Sequence, residues 1–218
     1  GAVRYPPPRP MKPKAKLEVW KFGGASVADA AAIRRAAALI ATQRGPLLVV
    51  VSALAGVTDL LLDGARRSAK GDARAASQAA RAFYKLHVRV ARQLLPESAA
   101  RREILLRVDA AAREYGDIAR GRTSLKDLPL RVSDLLVSRG ERMASLLLTA
   151  ALRRAGRRAA QVDALEVVAT DGHYGNAAPD LGATRRRARA LLLCASSLTA
   201  RYSCGRARKR GIRLRTRN

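Results

Sequence analysis

Residues 17–26 read Leu-Glu-Val-Trp-Lys-Phe-Gly-Gly-Ala-Ser, and this stretch opens the pattern that decides the fold class. Residues 17–22 predict a short β-strand, which the glycine pair ends. A second strand is predicted at 47–52, because Leu-Leu-Val-Val-Val-Ser is a continuous apolar run typical of a strand buried on both faces of a parallel sheet. The Ala-rich residues from Val27 to about Gln43 predict a helix between them. This order predicts a right-handed βαβ unit.

The rest of the ordered pattern is mostly helical. Pro96 breaks a long amphipathic segment into a helical hairpin, and Gly156 ends the strongest helix of the chain. The elements predicted after the second strand are a loop at 53–58, helices at 59–69, 72–95, 97–119 and 131–155, short strands at 159–164 and 165–170, a loop at 171–176, and a helix from Pro179 to about Leu193.

The chain divides into three segments by composition. Residues 1–16 are rich in Pro and Lys, and we expect a disordered leader in which Met11 is the natural start and residues 1–10 are leader or tag. Residues 17–193 carry the periodic patterns of a folded domain. Residues 194–218 hold no acidic group and no sustained period, so we expect an irregular basic tail. A frameshifted end and a natural short paralogue with a basic tail both fit that composition.

The net charge of +26 on 218 residues first suggests a nucleic-acid binder. Its distribution weakens that interpretation, because residues 1–16 carry five basic groups and residues 194–218 carry eight, while all 17 acidic groups lie between these ends. Abundant Arg and Ala are also what a GC-rich genome produces. Tyr202 is the only aromatic side chain in the tail, so base stacking is not expected. Nucleic acid is therefore an unlikely partner, and binding through the basic ends remains the alternative.

Several other classes of protein are disfavoured. No apolar run reaches the length of a membrane span, and the N-terminus has no apolar core of a secretory signal. The only cysteines are Cys194 and Cys204, so we expect a cytoplasmic protein without a disulfide framework. No His and Cys cluster has the spacing of a metal site, and we predict no protein-held metal.

The first motif with chemical content is Lys21-Phe-Gly-Gly-Ala-Ser26, between the first strand and the first helix. Gly23 and Gly24 allow backbone N–H groups to approach anionic oxygens, and the following helix N-terminus adds a favourable dipole. Lys21 at the strand end can place an ammonium group on a transferring phosphoryl group. The motif is not a Walker loop, and an ordinary strand-to-helix turn is the alternative.

The second motif runs from Ser52 through Ala-Leu-Ala-Gly-Val to Thr58. A buried strand that ends in Ser and leads into a loop of small residues predicts a hydroxyl-lined anion pocket at the carboxyl edge of the sheet. The alternative is that Thr58 is the N-cap of the next helix and binds nothing.

The third motif is Gly140-Glu141, within the strongest predicted helix. Glycine costs about 1 kcal/mol inside a helix, which suggests that a ligand or another backbone approaches closely there. Glu141 could then bind an amino group. The alternative is a solvated carboxylate paired with a neighbouring arginine.

The fourth motif is the Gly-rich loop from Thr170 to Asp180, which contains His173. His173 is a tempting general base, but a single histidine in such a loop is more often a surface residue. His87 lies on a basic helix, and we give it the same interpretation.

Together, and in this order, the four motifs resemble the N-terminal part of aspartate kinases, in the amino-acid kinase superfamily. Lys21-Phe-Gly-Gly-Ala-Ser-Val27 is similar to the opening Lys-Phe-Gly-Gly-Thr-Ser-Val of that family. The resemblance covers about residues 17–193. It implies an α/β fold, a three-layer αβα sandwich with a mainly parallel sheet, truncated in this chain.

The resemblance implies ATP-dependent phosphorylation of the side-chain carboxylate of L-aspartate, the first step toward lysine, threonine and methionine. It places Lys21 on the phosphoryl group as the catalytic residue, and it implies ATP with Mg²⁺ as cofactors. The ATP phosphates would lie against Lys21, Gly23, Gly24 and Ser26. The aspartate site would be lined by Ser52, Thr58 and Glu141, with Glu141 on the substrate ammonium. Relatives of this kind imply a homo-oligomer.

The chain departs from the family pattern in two places. Ala25 replaces the usual threonine, which removes a hydroxyl near the phosphates. The Gly-rich segment with its essential aspartate, the nucleotide-binding strands and the regulatory domains do not follow residue 193. We therefore expect weak or no activity from this chain. A non-catalytic regulatory or oligomerisation fragment of a kinase is the alternative.

Overall fold

The computed structural model describes residues 17–121 and 128–197. The leader at 1–16 and most of the tail, 198–218, lie outside this part of the chain, so their predicted character stays a prediction. The elements in chain order are β1 (Glu18–Phe22), a single 3₁₀ turn (Gly24–Val27), α1 (Ala30–Thr42), β2 (Leu47–Val51), α2 (Val57–Ala69), α3 (Ala75–Leu94), α4 (Ala99–Gly121), α5 (Leu130–Arg154), α6 (Ala164–Val167) and α7 (Leu181–Ser197).

Strands β1 and β2 pair in parallel, with a register that runs from Glu18 opposite Leu47 to Phe22 opposite Val51. The Ser52 amide donates a hydrogen bond of 3.0 Å to the Phe22 carbonyl and extends the ladder by one residue. The predicted βαβ unit and the parallel α/β class are thus confirmed. Because the strands are parallel, the segments that follow them leave the sheet at the same edge.

The two faces of this sheet differ in burial. Trp20, Phe22, Val49 and Val51 pack against the hydrophobic core. The opposite face leaves Val19 60% exposed and Val50 47% exposed. The prediction that β2 is buried on both faces is therefore wrong for the described part of the chain, because its helices cover one face of the two-stranded sheet.

Helices α2 to α5 form the body that carries the sheet. The predicted hairpin is confirmed as α3 and α4, and α5 packs against α1, α2 and α4 as well as β2. Tyr115 on α4 is fully buried, and its hydroxyl donates a 2.6 Å hydrogen bond to the Leu61 carbonyl of α2. Gly64 lies beside this bond, where a methyl group would come within 2.3 Å of the Ala79 Cβ.

Three local predictions differ from the structure. Helix α1 begins at Ala30 rather than near Val27, because Asp29 caps it by accepting a hydrogen bond from the Ala32 amide. The short strands predicted between 159 and 170 are wrong. Asp163 instead caps the single helical turn α6, and Thr170 forms an isolated bridge with Pro179. Helix α7 continues to Ser197, four residues beyond the predicted end.

His87 is fully buried, so its predicted surface position is wrong. Its ring lies 4.1 Å from the Phe83 ring, centroid to centroid, and Nδ1–H donates a hydrogen bond of 2.8 Å to the Phe83 carbonyl. Nε2 has no partner in the described part of the chain. Burial lowers the pKa of His87 to about 4, because the charged ring would lose its hydration.

Replacing Gly64 with Ala is expected to lower the free energy of unfolding by about 1–3 kcal/mol, because the added methyl overlaps Ala79 and the Tyr115 hydroxyl. Gly121→Ala is the matched control, since a methyl there meets nothing within 4 Å. Urea unfolding followed by circular dichroism measures both variants. Equal stability of the two variants would contradict the close packing of α2 on α3 and α4.

His87 is also expected to make stability depend on pH. Its pKa falls from 6.5 to about 4 on folding, so the unfolded chain takes up the proton first as the pH drops. The stability that comes from the neutral ring is complete above about pH 6.5 and is lost toward pH 4, a difference of about 3 kcal/mol.

Urea unfolding between pH 7 and pH 4 tests this expectation. His87→Gln keeps an amide donor for the Phe83 carbonyl but does not titrate, so its stability should fall less steeply than that of the wild type. His173→Gln removes an exposed histidine and should follow the wild type. Parallel pH curves for all three proteins would refute the assignment.

Candidate active site

Three of the predicted motifs meet at Ala53. A methyl group added at Gly24 would lie 3.4 Å from the Ala53 carbonyl oxygen. A methyl group added at Gly140 would lie 2.8 Å from the Ala53 Cβ and 3.0 Å from the Val57 Cγ1. The turn after β1 and the middle of α5 therefore both lie close to the loop after β2. The close approach predicted from Gly140 is confirmed, and its partner is the loop after β2.

The turn after β1 presents Lys21 and the glycine pair. Lys21 is exposed at the end of the strand and has no ion pair in the described part of the chain. The Ser26 amide donates a 2.9 Å hydrogen bond to the Gly23 carbonyl, which closes the 3₁₀ turn. A methyl group at Gly23 would meet nothing within 4 Å, so the space beside it is open.

The N-terminus of α1 holds a carboxylate of the chain itself, whereas the sequence predicted that it would favour a phosphate. The Asp29 carboxylate accepts a 2.8 Å hydrogen bond from the Ala32 amide and so occupies the end of the helix. This hydrogen bond lowers the pKa of Asp29 and keeps the carboxylate charged. The Ala32 amide therefore already has an acceptor within the chain.

The loop after β2 presents two hydroxyl groups. Ser52 and Thr58 are both half-buried, and neither hydroxyl has a hydrogen-bond partner among residues 17–121 and 128–197. Gly56 is the N-cap of α2 and has the left-handed conformation, with φ of 76°. The alternative that Thr58 caps the helix is therefore wrong, because Thr58 already lies in the first turn.

Glu141 is half-buried next to the contact between Gly140 and Ala53, and burial raises its pKa. The neighbouring arginines pair elsewhere. Arg139 Nη2 lies 3.0 Å from the Glu114 carboxylate, and Arg142 Nε lies 2.9 Å from the Asp163 carboxylate. Glu141 has no ion pair in the described residues, so the alternative of a carboxylate neutralised by a neighbouring arginine is wrong.

Sequence reasoning missed Arg139. Its side chain is 4% exposed, and besides Glu114 it donates to the Leu135 carbonyl, while its Nε has no partner in the described part of the chain. Nothing in the local sequence distinguishes it from the many exposed arginines. Its ion pair with Glu114 links α5 to α4 one residue before Gly140. This link helps to position Gly140 along the loop after β2.

The fourth motif docks onto the N-terminal half of α5. The Gly175 amide donates a 2.9 Å hydrogen bond to the Asp134 carboxylate, and the Arg131 guanidinium lies 5.5 Å from the Tyr174 ring centroid. The His173 side chain is 81% exposed and lies 3.1 Å from the Asp171 carboxylate, so its predicted surface position is confirmed. The loop is thus held against the N-terminal half of α5, which precedes Glu141 in the chain.

Residues 17–121 and 128–197 contain no group of three His, Cys, Asp or Glu side chains placed to hold a metal ion. None of the helices in the same ranges is both long enough and apolar enough to cross a bilayer.

Comparison with known proteins gives a consistent family. Residues 16–195 match the model of the amino acid kinase family. The chain is 32% identical over 181 residues to the lysine-sensitive aspartokinase 3 of Escherichia coli strain K12, and the match covers 82% of this chain and 38% of that protein. It is 35% identical over 164 residues to the chloroplastic aspartokinase 3 of Arabidopsis thaliana, covering 73% of this chain and 28% of that protein.

Solved structures agree with the sequence relatives. Escherichia coli aspartokinase III in complex with lysine and aspartate superposes with a TM-score of 0.71 at 28% identity, over 82% of this chain and 38% of that chain. The same enzyme in complex with aspartate and ADP gives 0.70 at 29% identity over the same shares. The chain therefore spans less than two fifths of these relatives, and the resemblance to aspartate kinases is confirmed. With the family model matched over nearly all of the described residues, this chain belongs to the amino acid kinase family.

Proposed function

We propose that this chain is the aspartate-binding and phosphate-binding part of an aspartate kinase. The reaction transfers the terminal phosphoryl group of ATP to the side-chain carboxylate of L-aspartate and yields 4-phospho-L-aspartate, the first step toward lysine, threonine and methionine. Glu141 carries the proposal, because it is a half-buried carboxylate without an ion pair in the described residues. Such a group is stabilised when a cationic ligand reaches it.

On the substrate side, Glu141 receives the ammonium group of aspartate. Ser52 and Thr58 contribute the two hydroxyls that lack partners in the described chain, and they hydrogen-bond substrate carboxylate oxygens. Gly140 lets the loop after β2 lie against α5, so the hydroxyls and the carboxylate stay on adjacent elements. This combination suits a zwitterion such as aspartate. The carboxylate of Glu141 neutralises the ammonium group, and the neutral hydroxyls hold the substrate carboxylates without neutralising their charge.

On the phosphate side, Lys21 places its ammonium group on the transferring phosphoryl group, while Gly23, Gly24 and Ser26 form the turn against the ATP phosphates. A carboxylate oxygen of aspartate forms the new P–O bond as the bond to the ADP oxygen breaks, and the positive charge of Lys21 offsets the charge that spreads over the phosphoryl oxygens. Mg²⁺ bound to the nucleotide would supply further charge neutralisation.

The intact protein would be a cytoplasmic homo-oligomer, and this chain would be weakly active or inactive by itself. The chain spans 38% of the Escherichia coli relative, and the described sheet has two strands. A second candidate is a non-catalytic fragment that associates with a full-length kinase. The exposed face at Val19 and Val50 favours it, because apolar sheet faces of this kind are normally covered.

Binding of L-aspartate should depend on Glu141. Isothermal titration calorimetry of the full chain should give tighter binding of L-aspartate than of succinate, which lacks the ammonium group, by about tenfold or more. Glu141→Gln should abolish this preference. Burial raises the pKa of Glu141, so Glu141 takes up a proton at a higher pH than an exposed glutamate does. As the pH is lowered, the preference for L-aspartate should therefore be lost earlier than it would be with an exposed glutamate.

The matched control is Glu166→Gln, which removes an exposed carboxylate on α6 that has no ion pair in the described chain. It should keep the full preference for L-aspartate. Equal binding of aspartate and succinate to the wild type, or loss of the preference in both variants, would contradict the role of Glu141.

Catalysis is tested by a coupled assay of ADP release with ATP, Mg²⁺ and L-aspartate. The chain alone is expected to give a rate near background. The second candidate is tested separately by mixing the chain with a full-length aspartate kinase. Co-purification of the two proteins would support it. Robust turnover by the chain alone that Lys21→Ala abolishes would overturn the proposed inactivity while supporting the proposed role of Lys21.

A further inference from the structure

Helix α3 exposes a continuous row of positive charges. Arg81, Lys85, Arg89 and Arg92 follow one another at intervals of four, four and three residues, which places them on one face of the helix. All four side chains are exposed, and none has an ion pair or hydrogen bond among residues 17–121 and 128–197. We refer to these four residues as the α3 stripe. At 1.5 Å per residue it is about 16 Å long.

Helices α2 and α4, which pack on α3, differ from it because several of their arginines have an acidic partner one turn away. On α4, Arg107 pairs with Glu103 and Arg113 pairs with Asp109, each four residues away. On α2, Arg67 pairs with Asp63 at the same interval. The twenty residues of α3 contain no Asp or Glu. Like charges one turn apart destabilise a helix, and the ion pairs of α2 and α4 reduce this cost whereas α3 has none among the described residues.

Apolar side chains border the α3 stripe on both sides. On the side of α4, Tyr84 is 36% exposed beside a shallow groove whose floor includes Ala112 and Gly116. On the side of α1, Leu86 lines a second depression together with Arg34, whose Nη1 donates a 3.0 Å hydrogen bond to the Gln93 carbonyl.

The acidic groups of these two depressions are already engaged. Asp109 and Asp117 pair with arginines of α4, and Asp29 caps α1. They therefore leave the charge of the α3 stripe largely uncompensated, and the whole face remains cationic.

We propose that the α3 stripe is a docking surface for an acidic amphipathic helix of another protein. Carboxylates spaced by one turn repeat at about 6 Å, the same interval as the cations of the stripe. Apolar residues beside those carboxylates would contact Tyr84 and Leu86. This occupant fits better than a nucleic acid, because Tyr84 is the one aromatic side chain that borders the stripe in the described chain, and strand binding normally uses several stacking platforms. A second copy of this chain would bring like charges together.

Two labelled 20-residue peptides of identical composition test the proposal. The first carries Glu at every fourth position with Leu beside it, so that all carboxylates share one helix face. In the second, the same residues are scrambled so that the carboxylates surround the helix. Fluorescence anisotropy with the full chain should show about tenfold tighter binding of the first peptide, and the difference should shrink as salt is added.

Two variants of equal charge locate the binding surface. Changing Arg81, Lys85, Arg89 and Arg92 together to Gln should remove the preference for the first peptide. The control changes Arg154, Arg158, Arg185 and Arg186 to Gln, four exposed arginines that also have no ion pair in the described chain, and it should keep the preference. Circular dichroism melts test whether both variants fold. If the fourfold stripe variant does not fold, the double variant Arg81→Gln with Arg89→Gln replaces it.

Three results would overturn the proposal. They are equal binding of the two peptides, loss of the preference in the control variant as well as the stripe variant, and tighter binding of a 20-nucleotide thymidine strand that the stripe substitutions weaken. The last result would assign the stripe to nucleic acid.

Discussion

The contact between α5 and the loop after β2 is the constraint on which the candidate site depends. A helix can approach another backbone this closely only where it has no Cβ, and a methyl group at Gly140 would overlap both Ala53 and Val57. A methyl group at Gly24, in the turn after β1, would lie 3.4 Å from the carbonyl oxygen of the same Ala53. Ala53 therefore lies close to both the turn after β1 and the helix that carries Glu141. Arg139 stabilises this arrangement, because its buried guanidinium on α5 forms an ion pair with Glu114 on α4.

How far the sequence predicted this arrangement depended on whether the deciding interaction was local. Strands β1 and β2, the hairpin at Pro96 and the end of α5 near Gly156 were predicted correctly, because each follows from neighbouring residues. Gly140 indicated a close approach but could not identify Ala53, which lies 87 positions earlier in the chain. Thr58 was assigned as a possible cap because its type suits one, whereas the left-handed Gly56 begins the helix. The Asp163 cap likewise turned a predicted strand into a helical turn.

The charged and polar residues show the same limit. His87 was placed at the surface because its sequence neighbours are basic, yet its ring packs on Phe83 in the core. The net charge of +26 shows neither which arginines are paired nor which face of a helix they share. On α4 the acidic partners lie one turn away and are visible in the sequence, whereas the partners of Arg139 and Arg142 lie on other elements. Glu141 is left without an ion pair in the described chain by these distant pairings, which no local pattern could reveal.

The uncovered face of the sheet has a consequence for Lys21. Alternate residues of a strand share a face, so the Lys21 side chain emerges beside Val19 and across from Val50. Any protein surface that covers the two valines also removes water from the base of this amine. The attraction between an ammonium group and a phosphate rises steeply as water is excluded. In the proposed function, covering the two valines would therefore also strengthen the attraction between Lys21 and the phosphoryl group.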